Sequence, residues 1–381
     1  MITRVFPILA VSIFCCMLGS GIVVPLLPLY AQSLGASAFW LGVVFASFPI
    51  SRILTTPVFG RLSDRKGRKL FIALGLLAYG VISFGFVWVD TVFQLASLRL
   101  LHGVAGAMIL PIAQAYVGDI SPPGEEGKWM GYANAAFMGG FGFGPLMGGV
   151  ITEHLGMDIA FFTMGGLSLL AFATVVFFLP EIKPKHSASS SPSFRAIVQS
   201  RMMNGLLTSR LGLSMGRTIF FTFLPILAAS ILDFRPSLVG ILLTVHILLM
   251  SFLGVPSGRI ADRFNRRFLV VCGFLISFIF LVAVPLANNF GTLLVLAVLG
   301  SLGSAIAMPA ASALAVEEGR KYGMGSTMAL FNMAQGIGMA VGPILGGAIA
   351  DFADINSAFY FGAVMALLGT GLFTWLSSNR A

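Results

Sequence analysis

Charge is scarce in this chain. Only 10% of its 381 residues are Asp, Glu, Lys or Arg, where a soluble domain carries about 25%. With 57% hydrophobic residues and a mean hydropathy of +0.95, the apolar surface exceeds what a water-soluble core encloses, so lipid is the expected solvent for most of it. Cysteine is scarcer still. Cys15, Cys16 and Cys272 lie inside apolar runs, a pattern that gives neither a disulfide framework nor metal-ligand spacing. No nucleophile–base pair, metal cluster or phosphate loop is present, so no enzyme activity, metal or cofactor is expected. Acids number 14 against 23 Lys and Arg, for a net charge of +9. In a soluble protein that balance suggests nucleic acid; here the cations sit in short loops between apolar runs, and no nucleic-acid partner is expected.

What is abundant is long hydrophobic runs. A hydrocarbon core about 30 Å thick takes roughly 20 apolar residues of helix. That rule places spans near 6–30, 38–59, 70–88, 93–117, 129–151 and 159–180, and again near 204–230, 237–257, 268–287, 292–315, 325–349 and 357–377. The first run follows Arg4 and is too long for a signal-peptide core, so it reads as a retained helix. The expected fold is all-α integral membrane, with domains 1–180 and 201–381 joined by a polar linker at 181–200 containing HSASSSPS. Eighteen of the 23 cations fall at one side, including Arg61, Arg65, Lys66, Arg68, Lys69, Lys183, Lys185, Arg195, Arg259, Arg263 and Arg380, whereas Arg235 alone lies in a loop at the other. The positive-inside rule then puts both termini and the linker in the cytoplasm. Short loops and termini point to a prokaryotic inner (plasma) membrane.

The two halves are related. Gly60-Arg-Leu-Ser-Asp64-Arg65 recurs as Gly258-Arg-Ile-Ala-Asp262-Arg263, displaced by 198 positions. The same displacement pairs Arg68 with Arg266, Asp119 with Glu317, Asn134 with Asn332, and Gly140, Gly144, Pro145, Gly148 and Gly149 with Gly338, Gly342, Pro343, Gly346 and Gly347. One offset held across four helices and three loops is the pattern of two parallel six-helix repeats.

Four stretches carry a family resemblance. Residues 60–69 (GRLSDRKGRK) resemble the loop between helices 2 and 3 of the major facilitator superfamily. Residues 99–107 (RLLHGVAGA) resemble its helix 4 motif, with His102 where glutamine is usual. Gly131, Gly140, Gly144, Pro145, Gly148 and Gly149 match the helix 5 signature of the twelve-helix drug:proton antiporter group, and Leu18-Gly19 with Pro25-Leu-Leu-Pro28 resembles the helix 1 pattern of that group. The resemblance covers essentially the whole chain. It implies twelve transmembrane helices in two pseudo-symmetric six-helix bundles, alternating access, and a mid-membrane cavity between the halves walled by helices 1, 4, 7 and 10. It also implies a conformational latch of Gly60, Asp64, Arg65, Arg68 and Asp119. There the aspartate caps a helix of the other half, and the last arginine pairs with the acid ending helix 4. The second copy offers Asp262, Arg266 and Glu317, with Asn265 where Gly67 has its counterpart. Glycines every fourth residue make a smooth packing face and Pro145 bends the helix. With Gly338, Gly342, Pro343 and Gly346, they are the expected seam at which the halves meet and rock.

Residues that break the repeat are the candidates for substrate and coupling. All 14 acids fall in loops or at helix ends, and helix 1 lacks the acid that many drug exporters of the group carry; that departure speaks against a cationic substrate. Arg52, Arg99, Arg210 and Arg217 lie within spans, where charge is costly and marks function. The counterparts of Arg99, His102 and Arg217 are Ala297, Gly300 and Gly19. Arg52 and Arg210 have an alternative, reaching toward the interface. His102 is a candidate for the coupling proton or, equally, a neutral histidine bonded between helices; His246 is a further candidate. Gln114, Asn134, Asn332 and Gln335 either line the cavity or bridge helices. The expected function is an efflux antiporter for small hydrophobic or amphipathic compounds, with a cationic cavity favouring anionic, neutral or lipid-like ones. Alternatives are an uptake or facilitative metabolite carrier, a membrane receptor and a lipid scramblase. The expected partners are a small-molecule substrate, protons and membrane lipid, and the expected working form is a monomer.

Overall fold

A computed structural model describes residues 2–122, 125–182 and 199–378. The linker cations Lys183, Lys185 and Arg195, and Arg380, lie outside the described residues. Among those described there is no strand, and twelve helices are long and apolar enough to cross a membrane. They are α1 (Ile2–Ser33), α2 (Ala38–Lys66), α3 (Arg68–Gly85), α4 (Val92–Ile120), α5 (Glu126–Leu155), α6 (Met157–Phe178), α7 (Arg201–Ile226), α8 (Pro236–Arg263), α9 (Arg266–Ala283), α10 (Phe290–Tyr322), α11 (Met324–Phe352) and α12 (Ile355–Ser378). Each expected span is one of these helices. Several run further than the apolar stretch, as α2 does to Lys66. A helix satisfies its own backbone in lipid or water, and cations in the last turn suit its negative end.

Local chemistry sets the breaks. Gly67 sits at φ 98°, a conformation open to glycine at little cost, and stops α2 against α3. In the second copy Asn265 does the same work differently. Its φ is −61°, and its side chain accepts the N–H groups of Arg267 and Phe268, which makes it an N-cap. Thr91 and Gln94 form a reciprocal capping box at the start of α4, while Asn289 and Ser200 cap α10 and α7.

The chain forms two compact units. The first comprises Met1–Gly35, Ser47–Ala188 and Arg235–Thr244; the second comprises Ala36–Ala46, Ser189–Phe234 and Val245–Ala381. In the first, α1 packs on α5 and α6, and α3 packs on α4 and α6. In the second, α7 packs on α11 and α12, and α9 packs on α10 and α12. The packing scheme repeats as the sequence does. Each unit also holds the opening turns of one helix whose remainder belongs to the other, α8 in the first unit and α2 in the second. The most enclosed helix is α7, with 83% of its most apolar stretch buried against 33–50% for the rest. It is also the helix that carries Arg210 and Arg217.

Candidate functional site

Within the second unit, α7 sets Arg210 and Arg217 two turns apart on the wall of a small cavity lined also by Leu213, Ser214, Met308 and Gln335. Arg210 is 8% exposed. Its terminal nitrogen donates to Gln335 Oε1 at 2.5 Å, its guanidinium lies 4.7 Å from the centre of the Phe331 ring, and its buried Nε has no partner. Among the described residues Arg217 donates only to Met308 Sδ, at 3.7 Å, although a guanidinium has five N–H donors. No carboxylate of the described residues lines this space. A second small cavity shares Leu213 and Arg217 with the first, and is walled further by Phe220, His246, Phe280 and Leu281. His246 donates from Nδ1 to the Ala297 carbonyl at 3.0 Å, which leaves Nε2 as its acceptor. The Phe220 and Phe280 rings lie 4.9 and 5.6 Å from the imidazole.

The other repeat-breaking residues lie elsewhere. In the first unit, Arg99 on α4 stacks over Phe48 of α2 at 4.9 Å, and its buried Nε is unpartnered. His102, one turn on, turns to α3. It is fully buried and lies parallel to the Tyr79 ring at 4.1 Å. Its Nε2 lies 3.2 Å from the Tyr79 carbonyl and 3.3 Å from Ser83 Oγ; Nδ1 has no partner. Arg99 and His102 thus meet different neighbours, because residues three apart on a helix differ by about 60° in direction. Arg52 and Gln114 are half-buried, and Asn134 and Asn332 are exposed. Of the four amides, Gln335 alone is seen bonded to a candidate cation.

The charge clusters at the basic helix ends form in both repeats. Arg68, 8% exposed, bonds Asp119 and lies 3.0 Å from Asp64. Arg266 bonds Glu317 and donates to the Ala261 carbonyl at 3.1 Å. Arg65 is exposed and Gly60 faces open space; the side chain of Asp262 lies outside the described residues. Sequence reasoning missed Glu318, which is buried beside Glu317 and bonds Ser200 at the start of α7 and Lys321.

The glycine faces differ from expectation. A Cβ on Gly140, Gly144 or Gly148 would meet backbone of Phe14, Gly21 or Ile22 at 2.3–2.4 Å, so this face seats α5 on α1 inside one unit. Gly338, Gly342 and Gly346 likewise seat α11 on α7, against Leu211, Met215 and Ile219. The contacts that join the two sequence halves lie on the other side of these helices. Gly149 meets Pro236 and Gly240 meets Pro145, while Gly347 meets Ala38 and Gly42 meets Pro343. A Cβ on Gly131 would meet nothing within 4 Å.

Two acids finish those contacts. Asp351 accepts the N–H groups of Ala38 and Phe39 at 2.7 and 3.0 Å, capping α2. Glu153 accepts from the Ser237 N–H at 3.3 Å at the start of α8 and lies 3.6 Å from Arg235. An acid suits a helix start because unsatisfied donors and the positive dipole end meet there. The signal was available: the displacement of 198 that aligns the motifs also aligns Glu153 with Asp351 and Gly42 with Gly240.

Known proteins carry the same pattern. A model of the Major Facilitator Superfamily matches the chain twice, over residues 9–211 and 206–380. The chain is similar to an uncharacterized MFS-type transporter of Methanocaldococcus jannaschii, 28% identical over 379 residues and 97% of each chain. It is 28% identical to multidrug resistance protein 2 of Bacillus subtilis over 389 residues, 97% of this chain and 94% of the relative. It is 26% identical to quinolone resistance protein NorA of Staphylococcus aureus over 388 residues, 98% of this chain and 97% of the relative. Its fold superposes on the nucleoside transporter NupG with a TM-score of 0.85 at 14% identity, covering 98% of this chain and 100% of that one.

Proposed function

The chain belongs to the major facilitator superfamily, and from that premise we propose that it is an alternating-access secondary transporter exporting small hydrophobic or amphipathic compounds, anionic or neutral rather than cationic. The observation that carries the substrate preference is the pairing of Arg210 and Arg217 along a cavity with no carboxylate in its lining. Two guanidiniums in a low-dielectric interior favour a negative or hydrogen-bond-accepting guest and repel a cation. Export is supported by the helix 5 signature and by the multidrug and quinolone resistance relatives. The lysine and arginine asymmetry supports cytoplasmic termini in the plasma membrane. In this reading the Arg68–Asp119 and Arg266–Glu317 clusters hold one conformation, and the acid-capped starts of α2 and α8 hold the opposite end of the bundle.

Proton antiport is the coupling implied by the family resemblance, with His246 better placed for it than the enclosed His102. A specific observation favours a second coupling. Antiport at one site needs proton and substrate to exclude each other, whereas a proton on His246 and an anion beside Arg217 attract. The membrane potential alone then suffices to expel an anion, at about 2.3 kcal/mol per charge per 100 mV. Flux of benzenesulfonate from proteoliposomes separates the two. Acceleration by a pH gradient at zero potential supports antiport; acceleration by a potential at equal pH supports the second coupling. Saturable flux that neither gradient accelerates indicates a facilitative carrier, and flux linear in concentration indicates a scramblase; either outcome sinks the proposed export.

A further inference from the structure

We infer that the second unit contains a two-part binding site for a small aromatic organic anion, with its charged group held between Arg210 and Arg217 and its ring in the adjoining cavity beside Phe220, His246 and Phe280. The assignment rests on the transport reading above and names the substrate class of the same site.

Three observations converge on it. The first is unspent hydrogen-bonding capacity. Arg210 is more than nine-tenths buried and uses one donor on Gln335, while its Nε has none. Arg217 has only a thioether, a weak acceptor. A buried guanidinium beside a half-buried one, both so poorly matched, is costly, and the missing partner is an acceptor with several oxygens and a negative charge. A sulfonate, carboxylate or phosphate supplies it. Ser214 lies on the same wall, but its hydroxyl already donates to the Gln335 carbonyl at 2.7 Å, so the anion's hydrogen bonds fall to the arginines.

The second observation is continuity. Arg217 and Leu213 line both cavities, so a ligand whose head meets Arg217 has its tail at the mouth of the larger space. That space is walled by Phe220, Phe280, Leu281 and Ala366. Such walls suit a ring with no charge of its own. The third is the broken repeat. The counterpart of Arg217 is Gly19, where even an added Cβ would come within 3.1 Å of the Met164 carbonyl, and that of Phe220 is Ile22, which is fully buried. The frame is duplicated, but the first unit has close packing where the second has a cation beside a cavity.

Binding to the purified full-length protein in nanodiscs tests this apart from transport. The probes are benzenesulfonate, its neutral analogue benzenesulfonamide, the cation phenyltrimethylammonium and the short anion methanesulfonate. Benzenesulfonate is expected to bind most tightly. Arg217→Ala should weaken it by about 10- to 100-fold, the usual cost of losing a charged hydrogen-bonding partner, and Arg217→Lys by less. Ser304→Leu, which fills the ring cavity from α10, should weaken benzenesulfonate and leave competition by methanesulfonate unchanged. Unaltered thermal unfolding of Arg217→Lys and Ser304→Leu certifies that these two variants are folded. Tighter binding of the sulfonamide or the cation overturns the assignment, as does benzenesulfonate affinity indifferent to every variant; export by the flux assay would stand regardless. Binding as expected with no flux would leave the site in place and remove the export reading instead.

Discussion

At the scale of single residues, the two membrane histidines separate by what surrounds them. His102 is walled in by Tyr79, Ser83 and Phe86 between α3 and α4; His246 borders a cavity that also contains Arg217. His102→Gln is therefore expected to leave the shape of the flux–pH profile unchanged while lowering stability by about 1–3 kcal/mol through lost stacking and hydrogen bonding. His246→Gln should change the shape of that profile across the range of pH in which flux is measured. Flux measured across that range in both variants, with thermal unfolding alongside, checks the pair. A profile altered by His102→Gln alone would return the coupling role to His102. From sequence the two were hard to rank, since both are buried beside aromatic rings and only His246 also borders a cavity.

At the scale of elements, α5 and α11 each pack through two faces that the sequence makes look like one. Small residues at 140, 144 and 148 meet α1; Pro145, Gly149 and Glu153 meet α8. Leu146 adds a hydrogen bond from its N–H to Thr244 Oγ1 at 3.0 Å, next to the proline where the helix ladder is already interrupted. A methyl group distinguishes the faces. Gly144→Ala would bring Cβ to 2.4 Å from the Gly21 Cα, backbone against backbone, and is expected to cost about 1–3 kcal/mol. Gly131→Ala, whose Cβ would meet open space, should be neutral or stabilise by up to about 1 kcal/mol from helix propensity. Thermal unfolding of both variants decides it, and equal destabilisation would contradict the contact geometry. The repeat displacement shows which residues are equivalent but not which neighbour each one meets. That is why, within the one expected set, Gly140, Gly144 and Gly148 meet α1 while Pro145 and Gly149 meet α8.

For the whole molecule, the twelve spans and the duplication were legible because lipid demands long apolar runs and because one displacement aligned motifs across both halves. The candidate site was only partly so. Arg210, Arg217, Gln335 and His246 stood out as polar residues in apolar surroundings, whereas Met308, Leu213 and Phe280 look like any other packing residue until the cavity is seen. The exchange of helix starts between units left only a trace, the alignment of Glu153 with Asp351 and of Gly42 with Gly240. It has a consequence in time. Asp351 lies 313 residues after Ala38, so at about 5–20 residues per second a ribosome delivers the cap of α2 roughly 15–60 s after the helix it caps. The first unit likewise waits for Arg235–Thr244. Neither half is then a complete folding domain when it enters the membrane. Fragments 1–188 and 189–381 are expected to restore benzenesulfonate flux when co-expressed and to give none singly; a protease-resistant, compact fragment 1–188 made alone would contradict this. The first half must remain in the bilayer with its end contacts open until the second arrives, which makes biogenesis of this transporter a late joining of two unfinished pieces.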